Sequence, residues 1–264
     1  METHPKKSLG QNFLVNPHIL DKIVVSARIS KDDIVIEVGP GTGNLTKKLA
    51  EKAKKVIAIE KDRRLIKDLV EIFGDNPNVE ILEADILKFK IEDLKLGSYK
   101  IVANIPYYIT SHFLRTVFES ASWRITQPNL IVLTIQKEVA QQIMAKPPHM
   151  NLLALSVQYY SQPEIISYIS KNNFRPIPKV DSAIIRLRPY NVRDDSTALL
   201  RYNLFRLIKI GFSEKRKILS STLARKLHLS KGGVMLVFKK SNIDSKSRPE
   251  NLSLNDWQRL ASEL

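Results

Sequence analysis

Asn104-Ile105-Pro106-Tyr107 ends a β-branched run and combines residue types suited to one task. The exocyclic amine of adenine is a poor nucleophile, because its lone pair is delocalised into the ring. The side-chain carbonyl of Asn104, with a nearby main-chain carbonyl such as that of Ile105, can accept both amine hydrogens and turn the lone pair toward a methyl donor. Pro106 fixes one backbone angle. Tyr107 offers a ring on which a base can stack, worth roughly 1–3 kcal/mol. A base reached in this way must leave its helical stack. Phe174, in a loop far downstream, is a candidate for the base's other face. On this reading Tyr107→Phe is tolerated, since stacking needs only the ring. Taken alone, the Asn-Pro turn and the aromatic also fit an ordinary turn and a core residue.

A second group of residues could hold the donor. Gly39-Pro40-Gly41-Thr42-Gly43 follows a short apolar strand and opens a helix, letting a ligand lie against bare main chain. The spacing is Gly-x-Gly-x-Gly, which is neither the dinucleotide fingerprint nor a phosphate-binding Walker loop. Glu60 closes the next strand, where a carboxylate can accept from both ribose hydroxyls. Asp85 closes the one after, within reach of an adenine amine. A ligand with an adenine, a ribose and no phosphate fits this set, and S-adenosylmethionine is such a ligand. Its amino-acid tail would lie over the glycines. Direct transfer from it needs no metal and no strong base, because the alkylated amine can lose its proton to water.

These residues require a framework. Asn16-Pro17 reads as a helix start. Strands are predicted at 34–38, 55–59, 79–82, 100–103 and 130–135, with helices at 45–53 and 63–73 between them. Alternation of this kind implies right-handed crossovers and a mostly parallel sheet. Two further strands, 164–169 and 182–187, flank Phe174-Arg175-Pro176-Ile177-Pro178. That link is too short for a crossover helix, so the pair should be antiparallel. The predicted fold is α/β, a doubly wound, mostly parallel seven-stranded sheet followed by a small all-α domain. The expected boundary lies at residue 190, with 1–190 binding the donor and 191–264 binding RNA. Residues 191–196 read as a linker, and helical spacing follows, punctuated by Gly232-Gly233.

The chain has 264 residues and a net charge of +15, with no cysteine. Disulfides and thiolate chemistry are therefore excluded. From Asn191 onward there are 15 Lys and Arg against 7 Asp and Glu, a net of +8 in 74 residues. Such density suits a polyanionic partner. No signal peptide or bilayer-spanning run is legible, so a cytoplasmic protein with no membrane partner is expected.

The sequence resembles the ribosomal RNA adenine dimethyltransferase family over nearly its whole length. The segments that carry the likeness are Leu9-Gly10-Gln11-Asn12-Phe13-Leu14, Glu37-Val38-Gly39-Pro40-Gly41-Thr42-Gly43, Asn104-Ile105-Pro106-Tyr107, Phe174-Arg175-Pro176-Ile177-Pro178-Lys179-Val180-Asp181-Ser182 and Gly211-Phe212-Ser213-Glu214-Lys215-Arg216-Lys217. The glycine loop is common to many methyltransferases; the first and fourth segments are more specific. Ile105 stands where the family more often has Leu. The resemblance implies a class I, Rossmann-like methyltransferase. It implies that Asn12, Leu14, Gly39, Glu60, Asp85 and Asn104 contact S-adenosylmethionine, with Gly41 in the same loop. It also implies that Asn104, Tyr107 and Phe174 handle the adenine. Residues 11–14 alone read as a polar lead-in to a helix; a role over the donor comes from the resemblance. The implied reaction is dimethylation of two adjacent adenosines in a 3′-terminal hairpin loop of small-subunit rRNA, free or in a pre-assembled subunit, by a monomer during ribosome biogenesis. The alternative is the related large-subunit enzyme that confers macrolide resistance. Two more distant rivals are a non-catalytic assembly factor, against which Asn104 and Tyr107 count, and a DNA adenine methyltransferase, against which the C-terminal domain and the Phe174 loop count.

Overall fold

The computed structural model describes residues 10–119, 127–190 and 198–264. The expected linker and the start of the first family segment lie outside them.

Four apolar runs are buried along nearly their whole length and form the centre of one sheet: β2 (Ile34–Val38), β3 (Lys55–Glu60), β5 (Lys100–Asn104) and β6 (Leu130–Gln136). With β4 (Val79–Glu83), β7 (Ser161–Ile169) and β9 (Ser182–Pro189) they make seven strands in the order β4-β3-β2-β5-β6-β9-β7. The first five are parallel; β9 runs antiparallel to both neighbours. The seven-stranded, mostly parallel sheet and its antiparallel hairpin are therefore as the pattern predicts. The order reverses between β2 and β5, the crevice where open α/β sheets bind ligands.

The helices of this part are α1 (Pro17–Ser26), α2 (Asn44–Ala50), α3 (Arg63–Phe73) and α4 (Thr110–Glu119). Asn16 caps α1 by accepting from the His18 N–H at 3.0 Å. Asp62 caps α3, whose Leu65, Leu69 and Phe73 are buried at helical spacing. One core cluster gathers Ile23 and Val24 of α1, Leu49 of α2, strand residues Val35, Val56, Val102 and Val132, and Leu14 and Phe174.

Leu14 and Phe174 meet through an element that residue spacing did not suggest. β1 (Phe13–Leu14) and β8 (Phe174–Arg175) form a two-stranded antiparallel sheet, pairing Phe13 with Arg175 and Leu14 with Phe174. The Val15 N–H donates to the Asn173 carbonyl at 3.0 Å, and Asn16 Nδ2 donates to Asn173 Oδ1 at 2.7 Å.

The described residues divide into two units. One comprises 10–140 and 161–190; the other comprises 141–160 and 198–264. A single cut at 190 therefore differs from the observed division. The physical reason is apolar: α6 (Leu152–Tyr160) buries Ala154 and Leu155 in a cluster with Leu204, Leu207, Leu219, Phe238 and Trp257. α5 (Lys137–Ile143) leads into that stretch. The remaining helices are α7 (Ala198–Phe212), α8 (Leu219–Lys226), α9 (Lys231–Lys240) and α10 (Leu254–Ser262). Gly232 and Gly233 do not interrupt the helical region as expected. They lie in the first turn of α9, where Ser230 Oγ accepts from the Gly233 N–H at 3.1 Å.

Candidate active site

The carboxyl ends of β2, β3, β4 and β5 surround one cavity, lined among others by Gly39, Glu60, Asp85, Asn104 and Tyr107. Gly39 and Gly41 both have positive φ, +68° and +60°. A Cβ on Gly39 would meet nothing within 4 Å, so its bare backbone faces open space. A Cβ on Gly41 would lie 2.8 Å from the Phe13 ring, so this glycine makes room for that ring.

Glu60 is buried, and Gly41, Lys61 and Asp62 all donate backbone N–H groups to its carboxylate, at 3.3, 2.8 and 2.9 Å. Burial nevertheless holds its pKa above the ordinary carboxylate value. A carboxylate has about four acceptor positions, so roughly one remains. The long contact from Gly41 is the one most easily exchanged. Asp85 accepts from the Leu87 N–H and pairs with Lys61 Nζ at 2.7 Å. Burial works to raise its pKa, but these two donors outweigh it and the net direction is down. Asp85 is thus an ionised acceptor at the cavity wall.

Asn104 Nδ2 donates to the Asn12 carbonyl at 3.1 Å, and Asn12 Nδ2 donates to the Gly10 carbonyl at the same distance. With its amide nitrogen tied back, Asn104 presents Oδ1, which accepts no hydrogen bond from the described residues. Ile105 is 1% exposed, which anchors the turn in the core. The Tyr107 hydroxyl, to which sequence reasoning gave no role, lies 2.7 Å from Ser182 Oγ.

Residues 10–14 line the same cavity and are tied to it at several points. Gln11 Nε2 donates to Asp62 Oδ2 at 3.0 Å, and Asn44 Nδ2 to the Leu14 carbonyl at 3.2 Å. Asp62 also pairs with Arg64; the Arg64 hydrogen bond, followed by that from Gln11, outweighs burial and lowers its pKa to about 2. The segment therefore lines the cavity, a position the polar lead-in reading does not describe.

Phe174 is not brought into this group. Its side chain is 0% exposed, in the core cluster with Leu14, because the β1–β8 pairing turns it inward. The core reading of this aromatic describes its position; the expected place over the adenine does not.

Sequence reasoning missed several residues. Glu37 lines the cavity, is 1% exposed, and its Oε2 has no hydrogen-bond partner among the described residues. Burial pushes its pKa up to about 8, and the negative charge of Glu60 acts in the same direction; Thr46 opposes them and is outweighed. An acidic residue inside an apolar strand was the legible signal. Gln11, Asn44, Lys61 and Ser182 carry no comparable mark, since each acts through a partner distant in sequence.

A ligand with the features of S-adenosylmethionine suits this cavity: open backbone at Gly39, carboxylates at the ends of two strands, and an acceptor on Asn104 left unused among the described residues.

Comparison with known proteins agrees. The family described as "Ribosomal RNA adenine dimethylase" matches residues 3–264. A protein of Dehalococcoides mccartyi strain CBDB1 named ribosomal RNA small subunit methyltransferase A is 40% identical over 264 residues, 98% of this chain and 88% of that protein. One of the same name from Clostridioides difficile strain 630 is 39% identical, covering 97% of this chain and 89% of that protein. Among solved structures, a dimethyladenosine transferase from Plasmodium falciparum superposes with a TM-score of 0.77 at 29% identity, covering 94% of this chain and 95% of that one. The 23S rRNA methyltransferase ErmE does so with a TM-score of 0.76 at 27% identity, covering 96% and 99%. Length of match, identity and the residues at the strand ends lead to one assignment: the chain belongs to the ribosomal RNA adenine dimethylase family.

Proposed function

We propose that this protein dimethylates the N6 amine of adenosine in small-subunit ribosomal RNA, taking methyl groups from S-adenosylmethionine. The observation that carries the reading is Asn104, whose amide nitrogen is held by the Asn12 carbonyl while Oδ1, beside the cavity, accepts from none of the described residues. When bound, the donor supplies an electrophilic sulfonium methyl. The chain's own residues do the rest. Glu60 would accept from the ribose hydroxyls and Asp85 from the adenine amine of the donor, with the open backbone at Gly39 available to its tail and Gly41 in the same loop. Asn12 and Leu14 line the same cavity and would close one side of it around the donor. On the substrate side, Asn104 Oδ1 and the Ile105 carbonyl accept the two amine hydrogens and orient the lone pair. Pro106 holds the turn, and Tyr107 stacks on the flipped base. Phe174 contributes by seating Leu14 rather than by touching the base.

The relatives at 39–40% identity are named for the small subunit, and they are closer in sequence than the large-subunit enzyme at 27%. This supports the small-subunit target; the pair of adjacent adenosines in the 3′-terminal hairpin is what the family resemblance implies. A monomer acting in the cytoplasm, with RNA bound through the basic C-terminal residues, completes the reading. The test is to incubate the protein and labelled donor with unmethylated small and large subunits and map the labelled base. Label on a large-subunit adenine would replace this proposal with the macrolide-resistance reading.

A further inference from the structure

Tyr107 is three residues beyond the end of β5, yet its hydroxyl reaches the first residue of β9. Between them runs β6, pairing Asn104 with Thr134 on one side and Gln136 with Ser182 on the other. The Tyr107–Ser182 bond, 2.7 Å long, therefore spans the carboxyl end of an intervening strand. Ser182 is 0% exposed and fixed in ladders to both β6 and β7, so it is a rigid anchor. Tyr107, by contrast, lies in a short 310 turn outside the sheet. The bond ties the far end of the ring to the sheet.

We propose that Ser182 is a positioning residue for the target base: by holding the Tyr107 hydroxyl it fixes the ring on which the adenine stacks. This rests on the assignment of Tyr107 to the base given above. The hydroxyl is then part of the function, against the expectation that the ring alone suffices. Burial, the largest influence, holds the phenol pKa above its usual value despite the Ser182 bond, and Asp181 and Glu138 act in the same direction. The phenol therefore stays protonated at neutral pH, and either oxygen can donate.

The test is steady-state methylation of unmethylated small subunits by wild type, Tyr107→Phe, Ser182→Ala, the double variant and Tyr107→Ala, with cofactor affinity and thermal midpoint measured alongside. Loss of one neutral hydrogen bond predicts a rise in KM for RNA of about three- to ten-fold in either single variant. Cofactor affinity and kcat should be largely retained. The double variant should be no worse than the worse single, because both remove the same bond. A purely structural role would instead lower the thermal midpoint and affect cofactor and RNA alike. Should Ser182→Ala fail to fold, Tyr107→Phe decides, since it leaves Ser182 in place. Normal KM in the single variants alongside a crippled Tyr107→Ala would overturn the inference and leave the site assignment intact. Normal kinetics in Tyr107→Ala would overturn both.

Discussion

At the residue scale, the site separates groups whose role follows from their type from groups whose role follows from position. Asn104 was legible because a side-chain amide at a strand end can accept one amine hydrogen while the neighbouring main-chain carbonyl accepts the other. Asn104→Ala removes that acceptor and also frees the Asn12 carbonyl. The interaction strengthens as the amine pyramidalises, so the loss should fall on turnover in single-turnover assays with both substrates saturating. Near-normal rates there would end the lone-pair mechanism. Glu60→Ala should weaken binding of S-adenosylmethionine by roughly 1.5–3 kcal/mol, the value of hydrogen bonds to a charged group, as read by calorimetry. Glu37 yields a pH effect of definite sign. In the folded protein it keeps its proton to about pH 8, whereas unfolded it releases it near 4.5. Between these values the folded state binds more protons, so this group's contribution to stability falls as pH rises, by at most about 1.4 kcal/mol per pH unit. Thermal unfolding without cofactor from pH 5 to 8 should show a shallower decline for Glu37→Gln than for wild type. Parallel curves would mean that another group holds the proton.

At the scale of elements, periodicity read the sheet well and short pairings not at all. Runs such as Leu130–Ile135, apolar but for Thr134 and buried at every position, leave little choice of structure. β1 and β8 contain two residues each, too few for any pattern, and they recognise one another only across a separation of roughly 160 residues. The same gap hid the burial of Phe174, since an aromatic in a Pro-rich loop looks exposed until its partner strand is known. Helix α6 was missed because its apolar residues surround it rather than marking one face. Gly211 shows how a family signature can be packing rather than chemistry. A Cβ there would come within 2.5 Å of the Trp257 indole and 2.8 Å of Leu219, near the end of α7. Gly211→Ala should therefore destabilise the C-terminal helices by about 1–3 kcal/mol despite its better helix propensity. Chemical denaturation would show this, and an unchanged or raised midpoint would mean that the indole has room to move.

For the whole molecule, charge and connectivity matter more than any single side chain. Lys215, Arg216 and Lys217 are exposed after α7, and the residues from Asn191 onward carry a net of +8. RNA affinity should therefore drop steeply with salt, as phosphate neutralisation releases counterions. Replacing all three with Gln should flatten the slope of log affinity against log salt, by about 0.7–0.9 for each phosphate no longer neutralised, without altering donor binding. An unchanged slope would place the phosphate-binding cations elsewhere. Composition announced this basic character, but not that residues 141–160 belong with those helices, because that grouping depends on which apolar faces meet. The β1–β8 pairing has a consequence for the order of events on the ribosome that makes this protein. Every group proposed to touch the donor has been synthesised once Asn104 emerges. The wall that residues 10–14 form is completed only when Phe174 and Arg175 arrive to pair with it. A nascent chain thus carries all its donor-binding side chains for the whole stretch from Asn104 to Phe174 before it can close the cavity around a ligand. Donor affinity should appear late and abruptly during translation, once Phe174 and Arg175 are available to pair with Leu14 and Phe13.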